Sequence, residues 1–287
     1  MIPFELLEPR TLHEAVGLID AEDPSVRAIA GGTALMLMMK SGIFQASRLV
    51  SLRGVEAHYA DITNTADGEL RIGALTTLST LARSSQIKTT APVITQTLKT
   101  LSNVRVRNVA TLGGHLAHAD PHMDLPPVLM VLDASVKTLA LSGSRMLPVA
   151  DLYLGYYETA LARNELIAEV IVPAQTGRSA AYLKVTTRCA DDWPTLGIAV
   201  SLAVEDRVVK DARIVVSAAT ETPVRLALAE SVLRNAAVTE SLWKRCGEAA
   251  AAEAQLVADA RGSATYKREL LRVYTARALK ASLEKKT

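Results

Sequence analysis

Cysteine is nearly absent from this chain. Its 287 residues include two, Cys189 and Cys246, far apart and in no C-x-x-C arrangement, which argues against a disulfide framework. An iron–sulfur cluster held by this chain alone is excluded too, because such clusters need about four thiolates. Long apolar runs are missing: the most apolar stretch, Ala28 to Met39, falls short of the ~20 residues that cross a bilayer. The start MIPFELLEPRTLHEAV has no basic segment leading into an apolar one, so a cytoplasmic protein is the expectation. Charge of one sign is lacking as well. Lys+Arg 32 against Asp+Glu 30 leaves a formal net charge of +2 and no basic block, so nucleic acid is not an expected partner. Neither G-x-x-x-x-G-K-[ST] nor G-x-G-x-x-G occurs, which removes the usual support for a Walker-type site or a standard dinucleotide fold.

The hydrophobic residues, 49% of the chain, are enough for a proper core, divided more comfortably into two or three subdomains than packed as one. The rhythm changes twice. Up to about Val55, a helical pattern (Leu12, Ala15, Val16, Ile19) precedes a strand, VRAIAGG, and a helix, TALMLMMKSG, that Gly42 caps. From Glu56 to about 175, strands ELRIGA, SVKTLALS and LIAEVIVP alternate with helical patterns at Thr77–Arg83, Val93–Leu101 and Pro126–Leu132, which predicts a mixed sheet with covering helices. From 176 to 287, the strands AAYLKVTTR and LGIAVSLAVEDRVVKDARIVVSAA lead into an Ala-rich helical tail beginning at Pro223, which predicts an antiparallel sheet on a small helical bundle. Met36, Met38 and Met39, at helical spacing, read as core filler.

Two glycine pairs, Gly31-Gly32 in AIAGGTAL and Gly113-Gly114 in VATLGGHLA, each fall between a predicted strand and a predicted helix. Glycine lets backbone approach a ligand, and free N–H groups at a helix start cradle an anion. Thr33 and Thr111 add a hydroxyl to each pair, so together the turns suit the two phosphates of one pyrophosphate. The second pair opens TLGGHLAHADPHMDLPP, which contains His115, His118, Asp120, His122 and Asp124. These residue types can bind zinc, but the spacing follows no H-E-x-x-H pattern and Pro121 interrupts any aligning helix. No G-x-S-x-G elbow supports a nucleophile either. The stretch reads as a phosphate-facing turn followed by a polar loop, with no metal. Arg105 and Arg107 lie just upstream, as pocket cations or as surface residues; for Arg105 the surface is the expectation.

AGGTAL together with VRNVATLGGHLAHADPHMDLPP resembles the paired FAD-binding signatures of the medium, flavoprotein subunits of the molybdenum hydroxylases, the carbon monoxide dehydrogenase and xanthine dehydrogenase group. The length, the order of blocks and YLKVTTRCADDWPTLGIAV are similar to that family as well. The resemblance implies an α+β protein with a two-part α/β FAD-binding domain of the vanillyl-alcohol-oxidase (PCMH) type, 1–55 and 56–175, and a C-terminal α+β domain, 176–287. It implies that Ala30, Gly31, Gly32, Thr33 and Ala34 surround the FAD pyrophosphate, with Thr111, Gly114 and His115 on its other side. Asp124 matches an FAD-contacting aspartate; next to phosphate it would be repelled, so a sugar hydroxyl or backbone N–H is the expected partner. Ile167 matches an apolar position against the flavin ring, and Lys184 matches a lysine close to it, where a cation favours the negative charge of the reduced ring. Lys184 also reads as a residue of an exposed strand face.

Two positions depart from the family pattern. Ala34 stands where many relatives have serine, a lost donor that costs roughly 1.5–3 kcal/mol if uncompensated. His115 stands where asparagine or serine is commoner. The implied function is electron transfer: an iron–sulfur small subunit delivers electrons drawn from substrate at a molybdenum-binding large subunit, and the flavin passes them to an external acceptor. The 2Fe-2S clusters and the molybdenum cofactor then belong to the partners, in a dimer of heterotrimers. Two other readings stand beside it, a self-sufficient FAD-dependent oxidoreductase and a non-redox module that binds a phosphorylated ligand.

Overall fold

A computed structural model describes residues 2–284, in which three main sheets follow one another along the chain. The first contains β1 (Glu5–Leu7), β2 (Val26–Ile29) and β3 (Arg48–Ser51) in the order β1-β3-β2, parallel throughout. Parallel strands need crossovers, which α1 (Leu12–Leu18) and α2 (Leu35–Lys40) supply. A reciprocal cap starts α1: Thr11 accepts from the Glu14 N–H, and Glu14 accepts from the Arg10 N–H. α2 ends as the sequence predicts, with Gly42 at φ +77. Met39 packs on Ala46 and Leu49 with Met36 beside it, a core role as expected.

The second sheet is built from β4 (Ile62–Asn64), β5 (Leu70–Gly73), β6 (Ser135–Ala140), β7 (Gly143–Pro148) and, beyond a small hairpin of β8 (Tyr153–Gly155) and β9 (Glu158–Thr159), β10 (Leu166–Val172). The order is β4-β5-β10-β6-β7, and every pairing is antiparallel rather than mixed. The reason is that the helices do not alternate with strands. They form one excursion between β5 and β6: α3 (Leu78–Arg83), α4 (Ser85–Thr90), α5 (Pro92–Thr97), α6 (Val104–Arg107), α7 (Leu112–His118) and α8 (Leu125–Val131). β5 and β6 then flank β10, which returns antiparallel to both.

The strand expected before the second glycine pair is absent. Thr111 makes only an isolated bridge to Thr77, and the glycines lie inside the first turn of α7.

The third sheet runs β11 (Arg178–Val185), β12 (Leu196–Glu205), β13 (Val208–Ser217), β14 (Val224–Arg225), antiparallel in that order. Asp206 and Arg207 join β12 to β13 at φ +49 and +61, the left-handed pair that a two-residue hairpin prefers. The Ala-rich tail forms three helices, α9 (Ala227–Leu233), α10 (Glu240–Glu253) and α11 (Ala264–Leu283), packed on Ile198, Val200, Leu202, Ile214 and Val216. The opposite face of β12 and β13 gives Ala199 and Val215 to the same core as Val128 and Leu129 of α8, so α8 lies between the second and third sheets and is covered by both. Among the described residues no helix is long and apolar enough to cross a membrane.

Candidate cofactor site

The fold brings the two glycine turns into contact. Ala30 to Ala34 link β2 to α2, and a Cβ on Gly31 would stand 2.0 Å from the Val109 carbonyl oxygen, so the first turn lies directly on the backbone entering the second. Gly32 is glycine for another reason: its φ is +69. Thr111 caps α7 by accepting from the Gly114 N–H at 3.2 Å, while the Gly113 N–H donates to the Ala74 carbonyl at 2.7 Å and ties the turn to the end of β5. Gly114 itself is exposed, and a Cβ there would approach Ala30 Cβ to 3.9 Å. The turns are thus in direct contact at Gly31 and Val109, a packing that only glycine at 31 allows. Thr33 is half-buried at its edge, and Ala34, heading α2, gives that helix no side-chain cap.

His115 projects from α7 with its ring half-buried but its Nε2 sealed from solvent and without a hydrogen-bond partner. Burial, reinforced by the neighbouring His118, pushes the ring down to about 3, so it is neutral at physiological pH. A buried polar atom without a partner is costly, and a ligand oxygen arriving there would relieve that cost. The Gly113 and Gly114 N–H groups are already engaged, so what fits a pyrophosphate here is the first turn, the Thr33 hydroxyl and the unpartnered His115 ring nitrogen.

Asp124 and Lys184, sixty positions apart, meet as a buried ion pair: Lys184 Nζ lies 3.0 Å from Asp124 Oδ2, with both side chains 6% exposed. Lys184 also donates to the Thr100 carbonyl at 2.9 Å, and the Tyr182 hydroxyl donates to Asp124 at 2.7 Å. The exposed-face reading of Lys184 is therefore wrong, because β11 packs this side chain against Asp124 and the Thr100 carbonyl, beside α5 and α8. Asp124 accepts from the side chains of Tyr182 and Lys184. Burial raises its carboxyl above the usual carboxylate range despite Lys184 and Tyr182. Tyr182 was missed, although it precedes Lys184 by two and so shares its strand face. Ile167, on β10, is buried among Val170, Val172 and Leu129. Arg105 is exposed, whereas Arg107 holds the Leu101 and Ser102 carbonyls and serves the turn.

The polar loop after α7 is more ordered than the sequence suggests. Ala119 takes a left-handed conformation, φ +54, and its carbonyl accepts from the Tyr157 N–H. Asp120 is buried and accepts from the Tyr157 hydroxyl at 2.7 Å, the His122 N–H at 2.8 Å and His122 Nδ1 at 3.0 Å. Burial alone would raise its carboxyl; these bonds outweigh burial and hold it below the usual range. The His118 ring packs on Tyr157 at 5.3 Å, and burial lowers it too. Among the described residues, no group of three or more His, Cys, Asp or Glu side chains is placed to hold a metal ion.

Comparison with known proteins covers nearly the whole chain. Residues 2–175 match the FAD binding domain in molybdopterin dehydrogenase, and residues 181–282 match the CO dehydrogenase flavoprotein C-terminal domain. The carbon monoxide dehydrogenase medium chain of Hydrogenophaga pseudoflava is 31% identical, covering 98% of both chains. The glyceraldehyde dehydrogenase medium chain of Sulfolobus acidocaldarius is 27% identical, covering 96% of this chain and 97% of that one. Among solved structures, the carbon monoxide dehydrogenase of H. pseudoflava superposes with a TM-score of 0.93 at 31% identity, over 98% of both chains. The quinoline 2-oxidoreductase of Pseudomonas putida 86 gives 0.92 at 26% identity, over 98% of this chain and 97% of that one. The fold is that of a flavin-carrying oxidoreductase subunit. The chain belongs to the FAD-binding medium subunits of the molybdenum hydroxylases.

Proposed function

We propose that this chain is the electron outlet of a molybdenum hydroxylase, receiving electrons from an iron–sulfur subunit and releasing them to an external acceptor. The observation that carries this is the meeting of two glycine turns, about eighty residues apart, beside a sealed and unpartnered His115 Nε2. Ala30, Gly31, Gly32, Thr33 and Ala34 hold one side of the pyrophosphate, and Thr111, Gly114 and His115 hold the other. Ile167 excludes water at the ring, and Asp124 with Lys184 closes the site on the side of the third sheet. Bound FAD supplies one- and two-electron chemistry, so this chain needs no general acid or base of its own.

Two cysteines cannot hold the clusters, which is why a cluster-bearing small subunit and a molybdenum-binding large subunit are the partners, in a cytoplasmic dimer of heterotrimers. The division at residues 55 and 175 assigns the first two sheets to FAD binding and the third to the C-terminal domain. The test is reduction of the flavin by substrate with and without those subunits. Bleaching only in the complex supports the outlet; bleaching in the isolated chain means a self-sufficient oxidoreductase, and an isolated chain and complex both without flavin mean a phosphate-binding module.

A further inference from the structure

The turn Ala119–Asp124 leaves the cofactor cradle and is held by the third sheet and its helices from two directions. Tyr182 and Lys184 grip Asp124; the second grip is His122. Its Nδ1 lies 3.0 Å from Asp120 Oδ1 and its Nε2 lies 3.3 Å from Asp259 Oδ2, a residue 137 positions away in the turn before α11. Asp259 also bonds Lys267 Nζ at 2.9 Å, a lysine 1% exposed on α11. The intervening Pro121 carbonyl accepts from the Ala218 N–H at 3.0 Å. Trp193 packs on the His122 ring at 5.4 Å, and Arg261 lies over the other ring at 5.6 Å. Ionised carboxylates only accept, so each bond forms with the ring nitrogen that carries a proton as its donor. The groups that face His122 are Asp120 and Asp259, with Lys267 on Asp259, the Tyr157 hydroxyl on Asp120 and Arg261 beyond Trp193.

We propose that His122 is a positioning residue for the cofactor: a clasp between Asp120 and Asp259 through which the C-terminal domain fixes the turn that follows the glycine-bearing helix α7. The clasp rests on the contacts above; its effect on the cofactor rests on the FAD reading. The test uses the purified full chain as wild type, His122→Asn, Asp259→Asn and the double variant. Asparagine at 122 keeps a donor where Nδ1 stood, next to Asp120, but does not reach Asp259. Amide hydrogen exchange over 119–124 and 255–262, FAD affinity by fluorescence quenching, and the visible circular dichroism of bound FAD are compared.

The expected result is that H122N speeds exchange in both segments together by about fivefold or more, weakens FAD by a similar factor and alters the flavin dichroism, while the double variant is no worse than H122N. H122N with exchange and affinity within about twofold of wild type overturns the clasp, as does loosening of one segment alone. Should H122N not fold, D259N carries the same comparison. A wild-type chain that takes up no FAD overturns the cofactor half, and exchange then decides the clasp.

Discussion

Gly31 and Gly32 are neighbours with different tolerances. At Gly31 the obstacle is the Val109 backbone, which a methyl group would meet at 2.0 Å; at Gly32 it is conformation, with the flexible Ile29 side chain as the nearest atom at 3.0 Å. Gly31→Ala is therefore expected to cost about 2 kcal/mol or more and to abolish FAD binding, whereas Gly32→Ala costs about 1 kcal/mol, measured as denaturant midpoints and flavin titrations. His115→Asn restores the family's side chain and should retain FAD, while His115→Leu should weaken it by about tenfold, the worth of one hydrogen bond.

Lys184→Met strands a buried carboxylate, a loss of about 3–5 kcal/mol. Asp124 is already pushed up by burial, so in that variant it takes a proton at low pH. The destabilisation should accordingly be smallest in acid and grow as pH rises, and Asp124→Asn in the same chain should recover part of it. A flat pH dependence of unfolding would contradict this pairing. The glycine pairs, Thr111 and His115 were legible in the sequence because their chemistry is local. The Asp124–Lys184 pair was not, since nothing in a linear pattern says that β11 lies against the start of α8.

At the scale of elements, Glu165 ties the β6–β7 hairpin to the loop before β10. It accepts from Arg145 Nε at 2.7 Å and Nη2 at 2.8 Å, from the Ala162 N–H at 2.9 Å and from the Thr138 hydroxyl. The Arg145 guanidinium leads in holding its carboxyl down to about 2. A depressed carboxylate stabilises the fold above its unfolded value and loses that contribution as pH falls. The denaturant midpoint should thus drop between about pH 4.5 and about pH 2, and Glu165→Gln should be less stable at neutral pH with a shallower drop. Equal slopes would contradict the assignment.

Local pattern located two helices of this region within a residue, Thr77–Arg83 for Leu78–Arg83 and Pro126–Leu132 for Leu125–Val131, while Val93–Leu101 overran Pro92–Thr97 and the short helices α4 and α6 went unread. It failed where pairing is non-local. The antiparallel order of the second sheet depends on β10 inserting between β5 and β6, and the segment before Thr111 reads as a strand because Val104, Val106 and Val109 are β-branched, although Asn103 caps a short helix there.

At the scale of the molecule, the three sheets act on one site. The first brings Gly31 and Gly32, the second with its helices brings Thr111, Gly114, His115 and Ile167, the third holds Asp124 through Tyr182 and Lys184, and the turn before α11 meets His122 through Asp259. Their convergence is what the family membership means physically: a frame that positions a flavin and leaves cluster and molybdenum chemistry to other chains. The sequence made the cofactor and the three-part rhythm legible through two separated motifs. It did not reveal the contacts by which the C-terminal part braces the cradle, because these join side chains such as His122 and Asp259 that follow no common spacing.

The most direct test is the visible absorption spectrum of the purified chain before and after addition of FAD and then dithionite, with the released cofactor identified by chromatography. The expected result is a spectrum of bound oxidised flavin that bleaches on reduction, with FAD as the cofactor released. A chain that stays colourless and takes up no FAD, even when produced together with its partner subunits, would contradict the account.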